Sequence, residues 1–517
     1  MTVSTSPQTL IDCLGSLGPD DGSLQGAPRH KLDRRGWFSL IESLHAHPEW
    51  ELLSEWAETQ HIHAAFYDSK AKELAVASLD LQGSVSFPCL SLARPGAMRL
   101  ERTIQEFWGL VAESLPDTRP WLDHGTWSHR TPMASKPAPR LTDMPAYEFL
   151  PVEGEGLHQI PVGPVHAGII EPGHFRFTLN GETVVRMEEK MGWVHKGTLS
   201  LIRGRKADDA VRLAARLSGD STVAHALAFC RAVEAAWEIE PTKRAVWLRA
   251  LMAELERLAN HFWDVAMISN DVAFTFPHAQ CSILRESVLA ACDTCFGHRL
   301  MMDRIIPGGV TVDLSDTNRD LLVKLAQNLR QKFAPVIDML ATPISFLDRT
   351  MTTGILKPHL AQSFAAGGFI GRASGRAFDV RRDLPYAPYP KLEFNVPVFK
   401  EGDVQSRLWV RIREIESSLD IVEQILARLP SIHDMELQTP RPTSPKAMEG
   451  LALVEGFRGD IVTWVKLDAD MFVTDVFIRD PSWLQWPLLE AVLEGNIVAD
   501  FPVCNKSFNC SYSGQDL

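Results

Sequence analysis

The chain has 517 residues, 52 Lys+Arg against 65 Asp+Glu, and a formal net charge of -13. With 45% hydrophobic and 23% charged residues it reads as a folded globular protein, not a disordered or fibrous one. The acidic balance argues against a nucleic-acid partner, and no apolar run is long and uncharged enough to predict a membrane span.

In chain order, residues 1–30 are polar with Pro and Gly and predict a flexible lead-in. They carry no basic region or long apolar run of a secretory signal. Residues 31–130 mix short helix-like and strand-like stretches and predict a small α+β domain. Pro132, Pro137, Pro139, Pro145, Pro151 and Gly154 mark 131–154 as an extended linker, because proline lacks an amide donor and stiffens the chain. A large domain fills 155–517. Asn180-Gly181 between two alternating runs predicts a hairpin over 174–187. Val246, Leu251, Leu255, Leu258 and Phe262 recur at helical spacing in 243–268, and 316–340 and 404–428 predict two further helices. Residues 448–480 return to strands, followed by a short helix near 483–493 and an irregular tail. The fold class is therefore α+β, with a helical bundle core and peripheral β-structure in the large domain.

Several residues can carry chemistry. Glu254, Arg257 and His261 stand on one side of the 243–268 helix, where charged groups beside an apolar stripe need partners. Their simplest reading is an internal ion-pair network. Arg372, Asp379 and Arg381 lie in a second polar segment that either lines a cleft or pins a loop. His166, Glu171 and His174 lie on a Gly- and Pro-defined loop ahead of the hairpin and suit metal or proton chemistry, or simple surface hydrogen bonding. The eight Cys are scattered. Cys292-x-x-Cys295 has no second pair at zinc-site spacing, so it reads as a packed helix face in a reduced environment.

Taken in order, GPVHAGIIEPGHFRF (163–177), GWVHKG (192–197), MAELERLANHF (252–262), GRASGRAFDVRRDLPYAPY (371–389), VEGFRGD (454–460) and WPLLEAVLEGNIVADFP (486–502) resemble one family. It is the large subunit of energy-converting, membrane-bound (group 4, formate hydrogenlyase-type) NiFe hydrogenases, homologous to the quinone-site subunit of respiratory complex I. Residues 101–127 are similar to the small complex I subunit found fused ahead of it.

The departures from this family matter as much as the matches. The resemblance implies a NiFe centre held by two Cys-x-x-Cys pairs, but their positions read Ser218, Ser221, Ser511 and Gly514. Thiolates bind such a centre; neutral hydroxyls are hard and stay protonated, and glycine offers no ligand. The expectation is no metal and no hydrogen chemistry. The family's His-Arg-Gly-x-Glu motif reads His195-Lys-Gly-Thr-Leu199, without its acid.

The resemblance implies that His166, Glu171, His174, Arg216 and His225 border the family cavity. It implies an iron–sulfur small subunit as partner, carrying a [4Fe–4S] cluster, and antiporter-like membrane subunits. No cofactor is expected on this chain itself, and quinone is a candidate acceptor. The expected location is peripheral, on the cytoplasmic side of a membrane. The expected function is electron transfer to quinone or another small acceptor within a complex I-like oxidoreductase; a non-catalytic coupling scaffold is the alternative.

Overall fold

The helix Lys243–Asp271 runs through the large domain of the computed structural model, which describes residues 9–141, 143, 146–429, 436–442 and 448–517. Thr242 starts it by accepting the Ala245 amide, which pairs one of the donors a first turn leaves free. Buried residues occur all round it, so it is a core helix rather than a surface one. Thr275–Phe296 and Val404–Arg428 pack against it, and Asp316–Leu340 closes the bundle. Ser315 and Asp403 cap the last two by accepting the Asn318 and Ser406 amides.

A four-stranded sheet flanks the bundle. Met448–Gly456, Gly459–Leu467 and Val473–Arg479 are antiparallel neighbours, and Leu24–Gln25 adds a parallel edge. The helix Thr222–Trp237 lies on this sheet. Gly450 permits the close approach: a Cβ there would stand 2.0 Å from the Ala232 carbonyl oxygen. A separate antiparallel sheet joins Leu157–Val162, His174–Asn180 and Thr183–Lys190, with Asn180 facing Thr183 across the predicted turn.

The small domain is a four-stranded sheet in the order Arg29–Leu32, Glu73–Asp80, His61–Asp68, Trp50–Ala57, with the helix Ala97–Trp108 packed on it. It is joined to the large domain by buried ion pairs, Arg29–Glu449 at 2.5 Å and Arg376–Glu51 at 2.6 Å. Trp56 also packs 5.9 Å from Trp464.

Three expectations are corrected. Residues 10–30 are not a loose lead-in: Thr9 caps the helix Leu10–Leu17, Leu10 and Leu14 are buried, and Leu24–Gln25 joins the large-domain sheet. Residues 1–8 lie outside the described residues, as does Pro145 of the linker. The linker itself holds a short pair, with Ala138–Pro139 against His129–Arg130. The tail is not irregular, because Phe501–Phe508 and Tyr512–Asp516 are helices. Their polar residues Asn505, Ser507, Ser511 and Ser513 are buried, which hides the apolar periodicity that betrays a helix in sequence. Among the described residues no helix is long and apolar enough to cross a membrane.

Candidate functional site

Ser218 and Ser221 stand at the start of the helix Thr222–Trp237, and Ser511 caps the helix Tyr512–Asp516 with Gly514 in its turn. The fold brings these two ends together. Ser218 Oγ lies 2.8 Å from Ser511 Oγ, and Ser511 Oγ accepts the Gly514 amide at 2.9 Å. Arg458, on the turn between Met448–Gly456 and Gly459–Leu467, reaches into the same place. Its Nη1 donates to Asp220 at 2.7 Å and to Ser221 at 3.1 Å, and lies 3.5 Å from Ser218 Oγ; Nη2 donates to Asp220 at 2.6 Å.

One turn into the helix, His225 Nε2 lies 3.0 Å from Asp480 Oδ2, while Asp480 Oδ1 accepts the Ser482 amide. A Cβ at position 514 would stand 2.7 Å from the Asp480 Cγ and 2.9 Å from its Oδ2. The Asp480 carboxylate thus fills the space beside Gly514. Burial opposes ionisation of this carboxylate, but His225 and Arg458 prevail and hold it down at about 2. Asp220 is likewise held low by Arg458, against its desolvation.

A second group borders Ser511. Tyr512 OH lies 3.1 Å from His166 Nε2 and takes a hydrogen bond from Asn505 Nδ2 at 3.3 Å. Burial pushes the phenol well up and the imidazole down, so both are neutral and the phenol donates to Nε2. Gly173 leaves room for the Tyr512 ring, since a Cβ there would stand 2.5 Å from it. Glu171 accepts the Ser513 amide at 3.0 Å. Asp516 accepts the Gly192 and Val194 amides, and burial raises it to about 7. Val165 and Ile169, on the His166 loop, are exposed.

The remaining predicted residues lie elsewhere. The Arg216 guanidinium turns outward and pairs with Asp303 at 2.6 Å and 2.8 Å; only its carbonyl approaches the site, where it accepts from Lys196. His174 belongs to the hairpin sheet and packs 5.3 Å from Phe149, with no hydrogen bond to Tyr512 or Ser511. Glu254, Arg257, His261, Arg372, Asp379 and Arg381 form a separate buried network. Cys292 and Cys295 are buried free thiols on Thr275–Phe296, and burial pushes both up. Sequence reasoning missed Asp480 and Tyr512 as site residues; Arg458 stood in the VEGFRGD segment but carried no assigned role.

A family NiFe centre needs four thiolates, and the residues here do not fit one. Three hydroxyls and a glycine stand at those positions, with a guanidinium against the hydroxyls and a carboxylate beside the glycine. Cys510 does not substitute: its thiol faces Gln485 at 3.9 Å, and burial pushes it well above its ordinary value.

Fold and site together define a hydrogenase large-subunit-like protein. Residues 196–265 match the model for nickel-dependent hydrogenases, and residues 271–516 match that for the 49 kDa subunit of respiratory-chain NADH dehydrogenase. The chain is 30% identical to hydrogenase-4 component G of Escherichia coli over 84% of this chain and 76% of that one. It is 29% identical to formate hydrogenlyase subunit 5 of the same organism, over 83% of this chain and 77% of the relative. A chain in the structure of the membrane-bound sulfane sulfur reductase, an archaeal respiratory membrane complex, superposes with a TM-score of 0.66 at 26% identity, covering 71% of this chain and all of that one. The chain belongs to the family of membrane-bound hydrogenase large subunits and their complex I relatives.

Proposed function

We propose that this chain is a subunit of a membrane-bound, complex I-like oxidoreductase that has lost the NiFe centre. In this reading it accepts electrons from a [4Fe–4S] cluster on an iron–sulfur partner and delivers them to quinone or another small acceptor. Antiporter-like membrane subunits complete the assembly, and the chain sits peripherally on the cytoplasmic side. The observation that carries the reading is the Asp480 carboxylate in the space beside Gly514, with Arg458 bound to the serine hydroxyls.

A quinone takes up two electrons and two protons to become a quinol. The electrons come from the partner. Both protons come from solvent in this reading: Tyr512 and His166, hydrogen-bonded at 3.1 Å, would pass them on one at a time, Tyr512 giving each to a quinone oxygen and regaining a proton through His166. Glu171 and Asp516 position them by fixing the backbone at 513 and 192–194.

The test is quinone reduction by the purified complex with His166→Ala and Tyr512→Phe chains. Complexes that assemble but lose at least tenfold in turnover support the reading. Wild-type turnover in both variants favours the scaffold alternative, which the self-satisfied Ser218–Ser511–Arg458 cluster also suits.

A further inference from the structure

A second set of buried charges, apart from the serine cluster, has no part in the reading above. Glu254, Asp379, Glu414 and Glu455 are at most 1% exposed, and Arg257, Arg372 and Arg381 at most 3%. They are bonded into one body. Glu254 accepts from Arg257 at 3.2 Å, Arg381 at 3.0 Å, Tyr389 at 2.8 Å and Ser418 at 2.7 Å. Arg381 also grips Asp379 at 2.7 Å and 3.0 Å. Arg372 donates to Glu414 at 2.8 Å and to Glu455 at 2.9 Å, and lies 3.4 Å from Asp379. His261 Nε2 lies 2.7 Å from Glu414.

Four carboxylates therefore face three guanidiniums and one imidazole. Burial holds His261 neutral against the pull of Glu414, with Arg257 also opposing its charge. Arg231 approaches the network but donates to the Leu453 carbonyl and stacks on Tyr386 rather than bonding any of the four carboxylates. Asp264 is paired with Arg411 beside His261, and Asp460 with Arg479 beside Glu455. One carboxylate is in excess, and an unpaired charge in such an interior is expensive enough to take up a proton instead.

Geometry selects which one. Glu254 has two guanidiniums, and Glu414 has Arg372 and His261. Asp379 has both arms of Arg381. Glu455 has one shared guanidinium arm and the Val380 amide at 3.0 Å, and it faces the like charges of Asp379 and Asp460. We infer that Glu455 holds a single exchangeable proton, so that the Arg372 network is a buried proton-binding site. It lies at the foot of the hairpin turn that carries Arg458, three residues from Glu455. Arg381 and Tyr389 line an open groove on the other side, a route for exchange with solvent. This site stands whether or not the acceptor at His166 is a quinone.

The proton predicts a definite pH signature. Burial and the facing carboxylates raise Glu455 from 4.5 to about 7. Stability gained from the bound proton is then complete below the unfolded value and is lost as pH rises through the folded one. A Glu455→Gln chain lacks this loss. Its Tm should gain on wild type as pH rises from 5 to 7 and hold the gain above. Infrared difference spectra of the full chains at pH 6, wild type minus Glu455→Gln, should show one protonated-carboxyl band that shifts in D2O. Glu414→Gln, which removes an ionised partner of Arg372, should lower Tm at every pH from 5 to 8. The inference is overturned if Glu455→Gln also loses Tm at every pH or fails to fold, or if no protonated-carboxyl band is lost.

Discussion

Asp480 shows how one side chain can close a site. It reaches across to Gly514 and His225, and its ionisation is sustained by His225 and Arg458 against burial. Its value falls from 3.8 to about 2, so its contribution is present above pH 4 and lost as pH drops through 2. That difference corresponds to ~2 kcal/mol at neutral pH. Asp480→Asn should therefore lower stability by about that amount at pH 7 and flatten acid unfolding between pH 4 and 2, read by chemical denaturation. Gly514→Ala presses a methyl group into the Asp480 carboxylate and should cost ~1–3 kcal/mol, measured the same way. The serine and glycine positions were singled out by the family resemblance. Asp480 was not, because nothing local at 480 signals that it faces residues 225 and 514, and the contact exists only once the 448–479 sheet has folded.

At the scale of elements, the helix Lys243–Asp271 places the fully buried Glu254 among Arg257, Arg381, Tyr389 and Ser418. Glu254→Gln leaves the buried Arg257 without a carboxylate, while Arg381 keeps Asp379, and should cost ~3–5 kcal/mol in an unfolding titration. The helix itself was readable to within three residues, as were the hairpin at Asn180-Gly181 and the helices Asp316–Leu340 and Val404–Arg428. All have a clear apolar period or a specific turn pair. Leu10–Leu17, Phe501–Phe508 and Tyr512–Asp516 were not readable. They span at most eight residues, and the last two bury polar groups whose partners come from distant loops and the helix Val404–Arg428. Tyr512 escaped notice for that reason: its partner His166 is 346 residues away.

For the whole molecule, the small domain is part of a continuous core rather than an appendage. Arg29–Glu449, Arg376–Glu51 and the Trp56–Trp464 contact join it to the large domain. This union was not legible in the sequence, since each contact crosses hundreds of residues. Trp56→Ala should cost ~3–5 kcal/mol and shift unfolding probes of both domains together, whereas a shift confined to the small domain would show that the two fold separately. The account as a whole stands on the proposal that Ser218, Ser221, Ser511 and Gly514 occupy the ligand positions of the family's NiFe centre. Elemental analysis of the intact complex, purified from cells grown with ample nickel, tests it most directly. Iron without nickel is the predicted result; one nickel per copy of this chain would contradict it.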